Sequence, residues 1–271
     1  MLKVRAYREA DSLVRIFCQE QGMVDAVARG ARRPTSRLLA AVQPLAYAYF
    51  RLYRGRGGLD TLQSAELETG WSRLGQDLER LGWGFALAGI IEALFSLHDP
   101  HPAAFKVLVG ALSALNEGKD APSVGLQAAF QLLAVAGFGI DPDQCGHCQG
   151  PLAPPVGLDL WEGSLVCESC RRQLGEQAAR LGAGLYWTLR QWLHGEEDQF
   201  GRVRAQGTVR QEAQFVLRQS LAIHGGRLPK AFDFLQEVSA LEMASWKGGR
   251  RPPAAAEGAS PVEENEGKTA E

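Results

Sequence analysis

No run of apolar residues in this chain approaches the roughly 18 to 20 that a helix needs to cross a bilayer, so no membrane-spanning helix is expected. The N-terminus opens Met1-Leu2-Lys3-Val4-Arg5, without the apolar stretch of a signal peptide. A cytoplasmic location with reduced thiols is therefore expected. Cysteine is scarce, five in 271 residues, so the core must form without a disulfide framework. No internal repeat is visible. Enzyme signatures are missing too. Gly182-Ala183-Gly184 lacks the third glycine of a dinucleotide fingerprint and follows no expected strand, so it reads as an interhelical loop. His224-Gly225-Gly226 has no G-x-S-x-G elbow to accompany it and reads as a helix end. His98 and His101 flank Asp99-Pro100, a helix terminator.

Composition is that of a globular protein, with 45% apolar and 22% charged residues. The net charge of −2 hides an asymmetry. Residues 1–60 hold 11 Lys/Arg against 5 Asp/Glu, a net of +6, leaving −8 on the rest. Such a split suggests a polyanion partner for the basic segment, or else a basic face that is merely solvated.

That basic segment has strand texture. Apolar and polar residues alternate over 2–7, 13–18 and 45–54, and more weakly over 23–31 and 59–66. Gly22 suits a tight turn, and Gly55-Arg56-Gly57-Gly58 a hairpin turn. Five short strands in under 70 residues suggest a small closed barrel, for which an OB-fold is one solution. From about residue 71 the period becomes helical. Trp83 to Leu97, Phe105 to Leu115 and Leu126 to Ala136 mark three helices, the last with Ser123 as its expected N-cap. Helical texture returns at 173–194, 208–223 and 232–243. The chain thus divides into a barrel over 1–70, a helical domain over 71–247 and an acidic tail over 248–271, which has too little apolar surface to fold.

Inserted at 141–172 is the pattern Cys145-Gly-His-Cys148, 18 intervening residues, then Cys167-Glu-Ser-Cys170. Two residues between cysteines let one turn aim both sulfurs at one ion, and two such knuckles complete a tetrahedron. Disulfides do not suit a reducing compartment, a thioredoxin-like pair would need a βαβ context, and a deaminase site would need an H-x-E upstream. One structural zinc on Cys145, Cys148, Cys167 and Cys170 is the expected cofactor. His147 lies between two better-placed thiols and is read as a bystander, and Cys18 as plain core. The metal is expected to hold together a segment with few apolar residues.

The face opposite the apolar one carries Lys3, Arg5, Tyr7, Arg15, Phe17, Tyr47, Tyr49, Arg51 and Tyr53. Arg29, Arg32, Arg33 and Arg37 follow in the next loop. Cations attract phosphates and exposed rings stack on bases, so the mixture fits sequence-independent binding of single strands. The competing reading packs some of these aromatics against the helices.

Several blocks are recognisable together: Tyr7-Arg8-Glu9-Ala10-Asp11, Gly22 to Arg32, Ser36-Arg37-Leu38, Gln43-Pro44, Leu52 to Gly55, and Leu132 to Phe138 leading to Cys145. Over roughly residues 1–245 the chain resembles the bacterial RecO family of DNA repair proteins. The resemblance implies an OB-fold followed by a helical domain and, in many members, zinc on two C-x2-C pairs. It implies binding of single- and double-stranded DNA, strand annealing, and work with RecR and single-stranded DNA-binding protein to load RecA. The last partner would be met through its acidic C-terminal tail, and the setting is the RecFOR pathway in the nucleoid. It brings no catalytic activity. Arg29, Arg32, Arg33 and Arg37 would be the first DNA contacts, then Lys3, Arg5 and Arg51, with Tyr47 and Tyr49 stacking. Members of that family have residues before the first strand, where this chain starts inside it, and the acidic tail has no counterpart. Two other functions fit the motifs. One is a zinc-containing adaptor that binds only protein. The other is a zinc-dependent nucleic-acid enzyme, which would need an open metal position.

Overall fold

The computed structural model describes residues 1–55, 59–195, 199–225 and 228–238. The tail from 248, the turn residues 56–58 and the expected helix beyond 238 lie outside them. Five strands come first: β1 (Lys3–Tyr7), β2 (Asp11–Cys18), β3 (Gly22–Ala28), β4 (Tyr47–Tyr53) and β5 (Asp60–Thr69). They form one sheet in the order β1-β2-β3-β5-β4, with β3 and β5 parallel and the other pairs antiparallel. This is the expected OB-fold barrel. Val14, Ile16, Ala26, Ala28 and Leu62 fill its inside, and Ala31, Leu38 and Val42 of the β3–β4 loop plug one end. Met1 ties the sheet edges, its nitrogen donating to the Ala46 carbonyl at 2.8 Å and its carbonyl accepting from Leu45 N–H at 2.8 Å.

Six helices follow: α1 (Leu78–Leu94), α2 (Pro102–Asn116), α3 (Ala121–Val135), α4 (Glu168–Leu174), α5 (Ala183–His194) and α6 (Gly207–His224). Residues 231–238 are also helical. Every residue of α3 from Ala121 to Leu133 is buried, which makes it the central helix, with α1, α2, α5 and α6 around it. Its N-cap is Asp120, whose carboxylate accepts from Ser123 N–H at 3.1 Å. The expected cap, Ser123, sits inside the first turn, where its hydroxyl accepts from Ala205 N–H at 2.9 Å. Asp120 and Ser123 are both favoured caps, and Pro122 fixes the earlier start, since it occupies an early helical position that has no partner for an N–H anyway.

The expected helix over 173–194 is broken by a strand. β6 (Val156–Asp159), β7 (Leu165–Cys167) and β8 (Ala178–Leu181) form a sheet in the order β7-β6-β8, all antiparallel. Gly182-Ala183-Gly184 therefore follows a strand and opens α5, rather than joining two helices. Nor is this insertion poor in core. Val156, Leu158, Leu165, Val166 and Leu181 are buried and continuous with the main helical core.

The barrel and the helices share a seam. Paired residues on the outer face of β2 and β3 run Phe17–Met23, Arg15–Asp25, Leu13–Val27. Phe17 and Met23 are buried in the helical core, Phe17 beside Phe95 and Phe105. Arg15 donates to Asp25 at 2.7 and 2.6 Å and to Glu92 of α1 at 3.2 Å. Gly22 (φ +67°) closes the β2–β3 turn against the corner after α1, where a Cβ would lie 2.1 Å from the Asp99 carbonyl oxygen. His98 N–H donates to the Met23 carbonyl at 2.9 Å in the same corner.

The bond from Arg15 holds the Asp25 carboxyl below its ordinary 3.8, against the opposing pull of partial burial. A carboxylate depressed on folding adds stability above its unfolded pKa and loses it as pH falls through the folded one. Asp25→Asn should lower Tm by a few degrees at pH 7. In thermal melts that gap should close as pH drops below about 4; an undiminished gap at pH 2 would assign the effect to shape instead of charge.

Candidate nucleic-acid interface and metal centre

The outward face does not stay uniformly outward. Lys3 lies 3.7 Å from Glu92, and Arg15 is bound in the same network, so both are neutralised against α1. Phe17 is buried and Tyr47 is half-buried, stacked on Trp71 with centroids 6.4 Å apart and edge-on to Phe105 at 6.1 Å. Phe17 and Tyr47 correct the outward-facing expectation, and the cause is the helical layer; Lys3 and Arg15 stay partly exposed but are paired. Alternation along a strand says which residues share a face, not what covers it.

Exposure returns with distance from the seam. Arg5, Arg29, Arg32, Arg33, Arg37, Tyr49, Arg51 and Tyr53 are all exposed. The β1–β2 turn meets the start of the β3–β4 loop: Arg32 N–H donates to the Ala10 carbonyl at 3.0 Å, and Gly30 N–H to the Asp11 carboxylate at 2.8 Å. The Arg32 guanidinium reaches the Glu9 carbonyl at 3.2 Å. This places Arg8 with Arg32 at the plugged end of the barrel. Strand alternation carries no signal for Arg8, which sits in a turn. Among the described residues Arg29, Arg33 and Arg37 have no ion-pair partner. Positive charge that no described ion pair takes up is what a polyanion site would use.

The four cysteines converge as the spacing predicts. The sulfurs of Cys145, Cys148, Cys167 and Cys170 all lie within 4.8 Å of one another. Sulfurs at Zn–S distances near 2.3 Å on a tetrahedron stand about 3.8 Å apart. The Cys148–Cys167 separation of 3.9 Å matches that spacing. In the first knuckle Gln149 N–H donates to the Cys145 carbonyl at 2.9 Å, and Gly146 N–H to the Leu165 carbonyl at 2.8 Å. Gly146 passes so close to β7 that a Cβ would lie 2.2 Å from Ser164 Oγ. In the second knuckle Cys167 is the N-cap of α4 and Cys170 lies in its first turn. Cys167 N–H donates to Cys145 Sγ at 3.3 Å, which joins the two knuckles.

These sulfurs are set up to ionise in competition. Hydrogen bonds from the Ser169 hydroxyl and the Cys170 backbone lower the Cys167 thiol to about 6. Burial works against ionisation of Cys145, but the N–H groups of Cys148, Cys167 and His147 outweigh it and the thiol ends below its usual value. Cys170, sharing a proton with Cys167 and desolvated beside the other sulfurs, is pushed up to about 12. Four thiolates this close require a cation between them, so the donor set fits a divalent metal ion. His147 turns its Nε2 toward the buried Asp159, 3.8 Å from Oδ2, and is not part of the sulfur cluster.

Sequence comparison agrees with both halves. The family described as Recombination protein O N terminal matches residues 1–71, and Recombination protein O C terminal matches residues 75–231. The chain belongs to the RecO family. It is similar to the DNA repair protein RecO of Pelotomaculum thermopropionicum, 32% identical over 237 residues that cover 87% of this chain and 91% of that one. The RecO of Anaeromyxobacter sp. is 30% identical over 246 residues, 89% and 95% of the two chains. That of Bacillus subtilis is 25% identical over 248 residues, 89% and 94%. RecO membership gives the chain a role in recombinational DNA repair. No helix among the described residues is long and apolar enough to cross a membrane.

Replacing a sulfur should open the cluster. Cys167→Ser should abolish retention of metal through gel filtration, read by plasma emission, and lower Tm, whereas Cys18→Ser should leave metal content unchanged. Full retention by Cys167→Ser would remove Cys167 from the ligand set.

Proposed function

We propose that this RecO-family protein is a non-enzymatic recombination mediator that holds DNA on the plugged end of its barrel. The observation that supports this is the set of exposed arginines Arg29, Arg32, Arg33 and Arg37, none of them in a described ion pair, with Arg8 beside Arg32. Guanidinium groups there bind phosphates of single- or double-stranded DNA and release counterions. Neutralised phosphates repel a second strand less, which favours annealing of complementary strands. Arg5 and Arg51 extend the contact. Lys3 and Tyr47 contribute least, being held by Glu92 and by Trp71. RecR and single-stranded DNA-binding protein are the protein partners in loading RecA, in the nucleoid. The acidic tail of the latter suits the same basic surface.

The ion in the sulfur cluster is zinc, one per chain. All four ligands are protein thiolates, so no coordination position remains for water or substrate, and its role is structural. Cys145, Cys148, Cys167 and Cys170 hold the knuckles of the 141–172 insertion to β7 and α4. The barrel at 1–70 carries the DNA, and the helical domain at 71–247 supplies core and docking surface.

A double variant, Arg32→Ala with Arg33→Ala, should weaken binding of a labelled oligonucleotide. The log–log salt slope should flatten by about one for each phosphate that is no longer neutralised. Fluorescence anisotropy across a salt series measures both. The absence of any salt-sensitive oligonucleotide signal would instead favour an adaptor that binds only protein.

A further inference from the structure

A five-stranded OB barrel ordinarily offers single strands the face of its second and third strands, with the flanking loops. Here that face is largely spent. Phe17 and Met23 are buried in the helical core, and Arg15 and Asp25 are locked to each other and to Glu92. A strand of nucleic acid cannot lie where α1 and α2 already sit.

The rest of the barrel wall is different in kind. On β4, Tyr49 and Tyr53 are 65% and 62% exposed, the two most exposed large apolar side chains of the barrel. Arg51 lies between them on the same face and is also exposed. None of the three has a ring contact or ion pair with a described residue. β4 ends the strand order, its outer edge paired with no described strand and tied at its start by the Met1–Ala46 bond. Inside the barrel Phe50 and Leu52 anchor the same strand to the core, so the platform is held from behind. An acidic neighbour, Glu66 of β5, stands opposite Tyr49. A phosphate chain is repelled from that β5 carboxylate, and Arg51 is the cation of the strip.

We propose that the outer face of β4 is a single-strand-specific stacking strip. Tyr49 and Tyr53 each take an unpaired base, and Arg51 takes the phosphate between them. The arginines of 29–37, by contrast, grip the sugar–phosphate chain whether or not its bases are paired. Tyr53 thereby enters the site, and the preference for strand type acquires an address separate from overall affinity. Stacking demands bases that are free of a duplex, and it tolerates any sequence because every base has a π-face. This inference rests on the nucleic-acid reading above and adds selectivity to it.

The test uses the full chain, a labelled oligo-dT and a labelled blunt duplex, with anisotropy titrations at several salt concentrations. Tyr49→Ala with Tyr53→Ala should lower oligo-dT affinity at least tenfold, change duplex affinity less than twofold and leave the salt slope unaltered, since no charge is removed. Tyr49→Phe with Tyr53→Phe should retain affinity, because the stacking ring remains. Both positions are exposed, so circular dichroism melts should match the parent. Unchanged oligo-dT affinity in the alanine variant, or an equal loss on duplex, overturns the strip. Arg32→Ala with Arg33→Ala separates the two claims. If it weakens both ligands while the tyrosine variant weakens neither, the arginine site stands and the strip fails. If the tyrosine variant is selective and the arginine variant silent, the strip stands and the arginine site fails.

Discussion

Arg15 is held between two carboxylates from distant parts of the chain, Asp25 across the β2–β3 ladder and Glu92 on α1. Beside it Phe17 leaves the barrel wall and enters a cluster with Phe95 and Phe105. Much else follows from this seam. It commits one side of the barrel to the helices and leaves the plugged end and β4 as the surfaces on which charge and aromatic rings stay accessible. A partly buried arginine with both its forks occupied is a poor ligand for anything else, since any new partner must first displace a carboxylate. The seam therefore decides which of the basic residues of the first 60 are free to meet a polyanion.

The barrel is legible in the sequence because its inner positions alternate strictly: Val14, Ile16 and then Ala26, Ala28 have no other way to be buried together. The four-sulfur cluster is legible because C-x2-C spacing has few physical uses in a reduced protein. What alternation does not show is the second layer. Tyr47 belongs to the same period as Tyr49, Arg51 and Tyr53, and only packing against Trp71 and Phe105 separates it from the exposed ones, as Phe95 and Phe105 do for Phe17 on β2. Likewise Glu92 carries no mark in the sequence that it faces Arg15, 77 positions away. Charge counts over a segment report totals, whereas pairing decides what remains of them.

The insertion that carries the thiols hides its strands for a related reason. Residues 178–181 are flanked by helices and contain two alanines, which favour helix locally. They become a strand because β6 has a free edge to fill, and the ladder from Val156–Leu181 to Asp159–Ala178 outweighs the local preference. Apolar residues there look sparse because they are spread over three short strands rather than gathered in one period. Val156, Leu158, Leu165 and Val166 nevertheless join the main core. The four-sulfur cluster thus finishes a unit that already has hydrophobic support on its inner side.

The corner where Gly22 meets Asp99 has a bearing on how such a chain can change over time. With no room for even a methyl group, and with His98 bonded to Met23, the turn and the segment after α1 are shaped to each other. A barrel cut out at its natural end would carry Phe17, Met23, Leu45 and Tyr47 as bare patches on its flank. It is not a cassette that gene fusion could move onto a foreign helical body and expect to remain soluble. An exchange would have to bring the 95–99 corner along with it.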